Sequence, residues 1–252
     1  MVYDLDTKEL NTFVINIGGT IVMDLLKGAI DLHVHSAPDL LPRKMDDLEM
    51  AQRIIKAGMG GFAAKSHYFC TAERAKTARQ LYPECNTIGT ITLNSAVGGI
   101  NPTALEMAGR AGTRLVWFPT VDARQEHEHL AHLAENPDAK LPFWARIQLE
   151  MKEQGIVAPP VYILTPEGKL TKETLDALDV IASYKMILAT GHLSHEETFE
   201  LVRVAHEKKI ERIIVTHVDF PTTFYTVEEQ KKLISYGAFM EHCYTTPATG
   251  KV

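Results

Sequence analysis

Four histidines stand where imidazole side chains could share a metal ion. His33 and His35 are two residues apart in the apolar run 28–35, so on a strand their side chains project from the same face. His192 and His217 each end another apolar run. Burying imidazoles among apolar residues is costly without partners, which favours metal ligation. The alternative is a set of separate buried histidines that cap helices.

The ligand type limits the choice of metal. Neutral imidazole suits zinc, iron, nickel or manganese, whereas magnesium and calcium need a shell dominated by oxygen. We therefore expect one or two divalent ions, with zinc ahead of manganese, iron and nickel.

Lys65 and His67 repeat the two-residue spacing at the end of the apolar run 61–67. A lysine within an apolar run either loses its proton or finds an anion, and a neutral amine can accept carbon dioxide to become a carbamate that bridges two metals. Lys65 is thus a candidate metal ligand and a candidate substrate contact, and a structural lysine that snorkels to the rim is the third interpretation. His67 is a candidate ligand or proton donor.

Carboxylates near the histidines could activate water. Asp219 is in phase with His217, Glu241 lies on the seventh apolar run, and Asp39 is a third candidate base, although loop carboxylates are more often caps or solvated charges. Arg43 follows the first run and could bind a substrate carboxylate or phosphate. A solvated basic loop is the alternative for Arg43.

The elements that must position these residues are βα units. Short apolar runs alternate with amphipathic helical patterns, which is typical of a parallel sheet. We predict an α/β fold of the TIM-like (β/α) barrel type, in which the carboxyl ends of the strands form one rim that carries the active site. A polar stretch at about 122–160 is predicted as an insertion in a single domain over 1–252. The predicted strands lie at 28–35, 61–67, 87–93, 113–118, 185–191, 212–217 and 237–244.

The eighth strand of a closed barrel has no counterpart. Residues 245–252 contain no further apolar run. Either the natural protein is longer than this sequence, or another element such as Phe13 to Ile17 closes the barrel. We therefore expect a barrel that is incomplete or distorted at the eighth strand.

Composition narrows the function classes. Lys plus Arg is 26 and Asp plus Glu is 32, so a net charge of −6 gives no electrostatic case for nucleic acid or an anionic membrane. Three scattered cysteines without a CxxC pair do not form a disulfide framework, and the sequence has neither a signal-peptide pattern nor a long apolar window. We expect a cytoplasmic protein with a small-molecule substrate and no nucleic-acid or membrane partner, and a homo-oligomer stays open.

One family shares this pattern. The motif 31–35 (DLHVH) on a first strand, with single histidines ending the fifth and sixth runs, resembles the amidohydrolase superfamily of metal-dependent hydrolases, over most of the chain. The stretches 31–39 (DLHVHSAPD) and 65–67 (KSH) look like a distinct branch of it.

The resemblance implies a metal site with specific ligands. His33, His35, His192 and His217 would bind one or two divalent ions, a carboxylated lysine or a glutamate would bridge them, and a strand-eight aspartate would activate water. Strand four offers neither bridging residue at 115–120, so Lys65 would be an unusual substitute, and the strand-eight aspartate has no candidate.

The implied activity is hydrolysis of a C–N or related bond of a small, in some cases anionic, molecule through metal-activated water. Three alternatives stay open. A histidinol-phosphatase-like (PHP-type) phosphoesterase also opens with HxH, and a metal-dependent decarboxylase or lyase would keep the metal but cleave C–C bonds. A catalytically degenerate barrel with a binding role would explain the missing aspartate.

Overall fold

The computed structural model of the protein describes residues 26–136, 145–244 and 248. Chain contacts divide it into two compact units: residues up to Lys65 together with Glu73–Ile88 form the first unit, and Ser66–Ala72 with the chain from Gly89 onwards form the second. The single domain over 1–252 stays a prediction.

The first unit is built on two parallel strands, β1 (Ile30–Val34) and β2 (Gly61–Ala64), followed by helices α1 (Asp47–Lys56) and α2 (Ala72–Leu81). Helix α1 begins at Asp47 because the Asp46 carboxylate accepts hydrogen bonds from the backbone N–H groups of the first turn in a capping box. Its small core consists of Val34, Ala51, Ile54, Phe62, Ala64 and Cys85.

The second unit carries five parallel strands in chain order, each paired with the next in sequence. They are β3 (Asn86–Thr92), whose first residues belong to the first unit, β4 (Leu115–Trp117), β5 (Ile187–Ala189), β6 (Ile213–Val215) and β7 (Ala238–Met240). The helices are α3 (Pro102–Ala111), α4 (Arg124–Ala134), α5 (Ala145–Glu153), α6 (Lys172–Ser183), α7 (His195–Glu207) and α8 (Val227–Ser235).

The strands of the second unit lie in its core, which is why their sequences are continuous apolar runs. All three residues of β4 are buried, as expected for a parallel strand that is covered on both faces. Helices α3, α6 and α7 contribute Leu105, Ile181 and Leu201, each fully buried, to the same core.

The α/β class with parallel strands is confirmed. The predicted insertion contains α4 and α5, while residues 137–144 of it lie outside the described residues. The proposed closing segment Phe13 to Ile17 also lies outside them. Among the described helices, none has the length and apolar character needed to cross a membrane.

Candidate metal centre

The predicted site residues divide between the two units. The first holds His33, His35, Arg43 and Lys65. The second holds His67, His192, His217, Asp219 and Glu241.

In the first unit, Lys65 contacts His33. The Lys65 side chain is fully buried, and its Nζ lies 2.8 Å from His33 Nε2. An ammonium group has donors only, so a charged Lys65 makes His33 Nε2 the acceptor. A charged Lys65 therefore competes with a metal ion for the His33 lone pair.

His35 contacts the guanidinium of Arg43. Arg43 Nη2 lies 3.3 Å from His35 Nδ1, and Arg43 Nε donates to Asp39 Oδ2 at 2.6 Å. The Asp39 side chain is fully buried. Because guanidinium cannot accept a hydrogen bond, His35 Nδ1 is the acceptor, and a neutral His35 carries its proton on Nε2. Arg43, predicted to bind substrate, thus holds a buried carboxylate and sets the tautomer of His35.

The loop that carries Asp39 and Arg43 is anchored by helix α2. Arg74 donates to both carboxylate oxygens of Asp47, at 2.8 and 2.9 Å, and to the backbone carbonyl of Ser36. The Ser36 hydroxyl also donates to Asp47, at 2.6 Å. This bidentate contact holds both ends of the loop between β1 and α1.

In the second unit, three imidazoles form a row. The ring centroids of His67 and His192 are 6.5 Å apart, and those of His192 and His217 are 5.4 Å apart. His192 and His217 meet because they follow the neighbouring parallel strands β5 and β6, which end at the same edge of the sheet.

His67 is held by a buried polar network. Its Nδ1 lies 2.8 Å from Thr120 Oγ1, and the Asn94 amide donates both to that hydroxyl and to the His67 carbonyl. The Thr120 backbone N–H donates back to Asn94 Oδ1 at 2.8 Å. The network fixes the imidazole orientation through Nδ1.

His192 depends on the glycine before it. Gly191 has φ +66°, and a Cβ there would lie 2.4 Å from the carbonyl oxygens of Phe118 and Pro119. Only glycine allows this approach, which places the His192 backbone N–H 2.9 Å from the Pro119 oxygen.

The His192 side chain faces a buried carboxylate. Its Nδ1 is 2.9 Å from Glu126 Oε1 of helix α4, although the direction falls short of a linear hydrogen bond. The Glu126 side chain is 4% exposed. A carboxylate on one ring nitrogen orients the ring and raises the basicity of the other, as in many metal-binding histidines.

His217 has an unusual backbone. Its φ is +54°, in the left-handed region that is rare for residues other than glycine. The Thr223 hydroxyl donates to its carbonyl at 2.6 Å, and its own N–H donates to Glu241 Oε2 at 3.3 Å. Conformations of this kind persist where surrounding contacts over-determine them, often at functional sites.

Glu241 and Cys243 complete a cluster around His217. The candidate ligand atoms of these three residues all lie within 4.8 Å of one another. Donor atoms of zinc sites lie about 2.0–2.3 Å from the ion, so small side-chain rotations bring all three onto one ion. The donor set fits a metal such as zinc. Asp219, the other predicted base, lies 3.3 Å from His242 Nδ1.

Sequence reasoning missed Glu126, Asn94, Thr120 and Cys243. The first three have no local signal, because their contacts depend on how distant segments pack. Cys243 does have a local signal, because it follows Glu241 at the same two-residue spacing that separates His33 from His35.

A family model described as "Family of unknown function (DUF6282)" matches residues 28–241. The chain belongs to DUF6282. The matched region includes every predicted site residue of both units and ends two residues before Cys243. No curated protein matches the chain.

Proposed function

We propose that this DUF6282 protein is a metal-dependent hydrolase of the amidohydrolase type, and that its strands belong to a TIM-like barrel. The substrate class is a small molecule with a C–N or related bond. The observation that carries the proposal is the cluster of His217 with Glu241, beside the His192 ring, at the carboxyl ends of β5, β6 and β7.

The chemistry follows from this donor set. A divalent ion held there would polarise the scissile carbonyl and lower the pKa of water. His217 and Glu241 hold the ion, and His192 is a further ligand that Glu126 orients. In the first unit, His33, His35 and Lys65 stay predicted ligands.

Proton transfer falls to two side chains of the second unit. His67, which Thr120 contacts at Nδ1, is the candidate proton donor. Asp219 is the candidate base. Arg43 is engaged by Asp39 and His35 through Nε and Nη2, which favours a positioning role toward His35 over direct substrate binding.

The test combines metal analysis with a substrate panel. Protein purified without added metal is expected to hold about one ion per chain, and His217→Ala is expected to lose it. We expect the protein to hydrolyse amides and lactones and to leave phosphomonoesters intact. The proposal would be overturned by a metal content well below one ion per chain, if added zinc, manganese and iron all fail to restore it.

The same panel distinguishes the alternatives. Activity on phosphomonoesters alone would assign the protein to the phosphoesterases. Release of carbon dioxide without hydrolysis would assign it to the decarboxylases.

A further inference from the structure

The three cysteines of the chain have different surroundings. Cys70 is exposed, and Cys85 is fully buried in the core of the first unit, where burial raises the pKa of its thiol. Cys243 is half-buried, with Sγ within 4.8 Å of ligand atoms of an imidazole and a carboxylate.

The position of Cys243 follows from the backbone around β6 and β7. The Glu241 N–H donates to the Val215 carbonyl at 2.9 Å, and the Val218 N–H donates to the Glu241 carbonyl at 3.2 Å. These two bonds hold the segment after β7 against the segment after β6. Cys243, two residues further on, is thereby brought to His217.

We propose that Cys243 is a thiolate ligand of the metal centre, and that the centre therefore takes a thiophilic ion. This inference rests on the metal site of the proposed function. On binding, the S–H bond breaks, an Sγ–metal bond forms, and the proton leaves to solvent. Magnesium and calcium prefer oxygen donors, so zinc, cobalt or iron(II) is favoured over both.

Zinc binds thiolate sulfur, imidazole nitrogen and carboxylate oxygen. Cys243 therefore adds a donor of a third kind to the imidazole of His217 and the carboxylate of Glu241.

Cobalt(II) is the direct probe, because thiolate ligation gives a charge-transfer band in the near ultraviolet. Metal-free full-length protein loaded with one equivalent of Co²⁺ is expected to show the band. Cys70→Ser, the matched control, is expected to keep it, and Cys243→Ser to lose it together with at least about 10-fold in affinity. No band in the unsubstituted protein, or a band retained in Cys243→Ser, would overturn the inference.

Alkylation of the unsubstituted protein tests the same ligand without relying on a variant that must fold. Zn²⁺ is expected to slow the reaction of iodoacetamide with Cys243 but not with the exposed Cys70, measured peptide by peptide. Mg²⁺ is expected to protect neither. Equal labelling of Cys243 with and without Zn²⁺, or equal protection by Mg²⁺, would refute thiophilic ligation.

The outcomes separate this inference from the proposed function. A cobalt–thiolate band in a protein that hydrolyses nothing on the panel would refute the hydrolase and keep the ligand. Metal-dependent hydrolysis without the band would refute the ligand and keep the hydrolase.

Discussion

The histidines of the two units differ in what their imidazoles contact. In the first unit the contacts are basic side chains: Lys65 for His33 and Arg43 for His35. In the second, the carboxylate of Glu126 lies beside His192 and that of Glu241 has a ligand atom within 4.8 Å of one on His217, whereas His67 contacts the Thr120 hydroxyl. A cationic donor occupies the lone pair that a metal needs, whereas a carboxylate leaves it available and increases its basicity.

This contrast ranks the clusters as metal sites. In the second unit, the candidate ligand atoms of His217, Glu241 and Cys243 already lie within 4.8 Å of one another, so side-chain rotations alone bring them onto one ion. The first becomes a ligand set only when Lys65 loses its positive charge or moves, which carboxylation of its amine would achieve.

The largest loss of stability on substitution is expected in the first unit. Arg43→Met leaves the fully buried Asp39 carboxylate without its ion-pair partner, which is expected to cost about 3–5 kcal/mol of unfolding free energy. Urea denaturation measures this loss. Adding Asp39→Asn is expected to recover part of it, and Lys27→Met, at an exposed position of the same unit, is expected to change stability by less than about 0.5 kcal/mol. A small loss for Arg43→Met would mean that Asp39 is solvated, and the contrast between the units would weaken.

In the second unit, Glu126→Gln keeps the size of the side chain and removes its charge. Zinc affinity, measured by competition with a chromophoric chelator, is expected to fall about 10- to 100-fold, because His192 loses its orienting carboxylate. Glu128→Gln, an exposed position on the same helix, is the matched control and should leave affinity unchanged. Unchanged affinity in Glu126→Gln would remove His192 from the ligand set.

Tyr225 reports on the carboxylate-rich second unit through pH. Burial, reinforced by Glu229 and Glu197, raises the pKa of Tyr225 to about 12, although its hydrogen bond to Thr198 acts in the opposite direction. The unfolded chain loses this proton near pH 10, so its contribution to stability is complete below about pH 10 and disappears as pH rises toward 12.

The measurement compares the unsubstituted protein with Tyr225→Phe across that range. The stability advantage of the tyrosine is expected to shrink by about 2 kcal/mol between about pH 9 and pH 12. A constant difference would show that the phenol titrates normally.

The smallest effect concerns the backbone of His217. His217→Ala and His217→Gly both remove the imidazole, but only glycine adopts φ +54° without strain. In metal-free protein, the glycine variant is expected to be about 1 kcal/mol more stable than the alanine variant. Equal thermal stabilities would mean that the left-handed backbone at this position relaxes.

The sequence was most informative where side-chain periodicity decided the outcome. Apolar runs located the strands, and the two-residue spacing predicted that His33 and His35 lie on one strand; β1 ends at Val34, so His33 lies on it and His35 lies just beyond. The predicted strands were too long because run ends do not report backbone conformation: β6 ends at Val215, and His217 beyond it is left-handed.

Other site features depend on contacts between distant segments. Glu126 lies in a polar helix whose sequence resembles any solvated surface, and it meets His192 only through tertiary packing. Gly191 shows no sign of its role until the carbonyls of Phe118 and Pro119 are placed beside it.

The hydrogen bonds of Arg74 to Asp47 and to the Ser36 carbonyl also have a consequence for the order in which the structure forms during synthesis. The chain up to residue 65 already contains His33, His35, Arg43 and Lys65, but the guanidinium that holds their loop is made later, in α2. A ribosome-bound fragment that stops short of Arg74 therefore has these residues without the contact that fixes them. The loop is expected to become protected from proteolysis only when α2 has emerged from the exit tunnel.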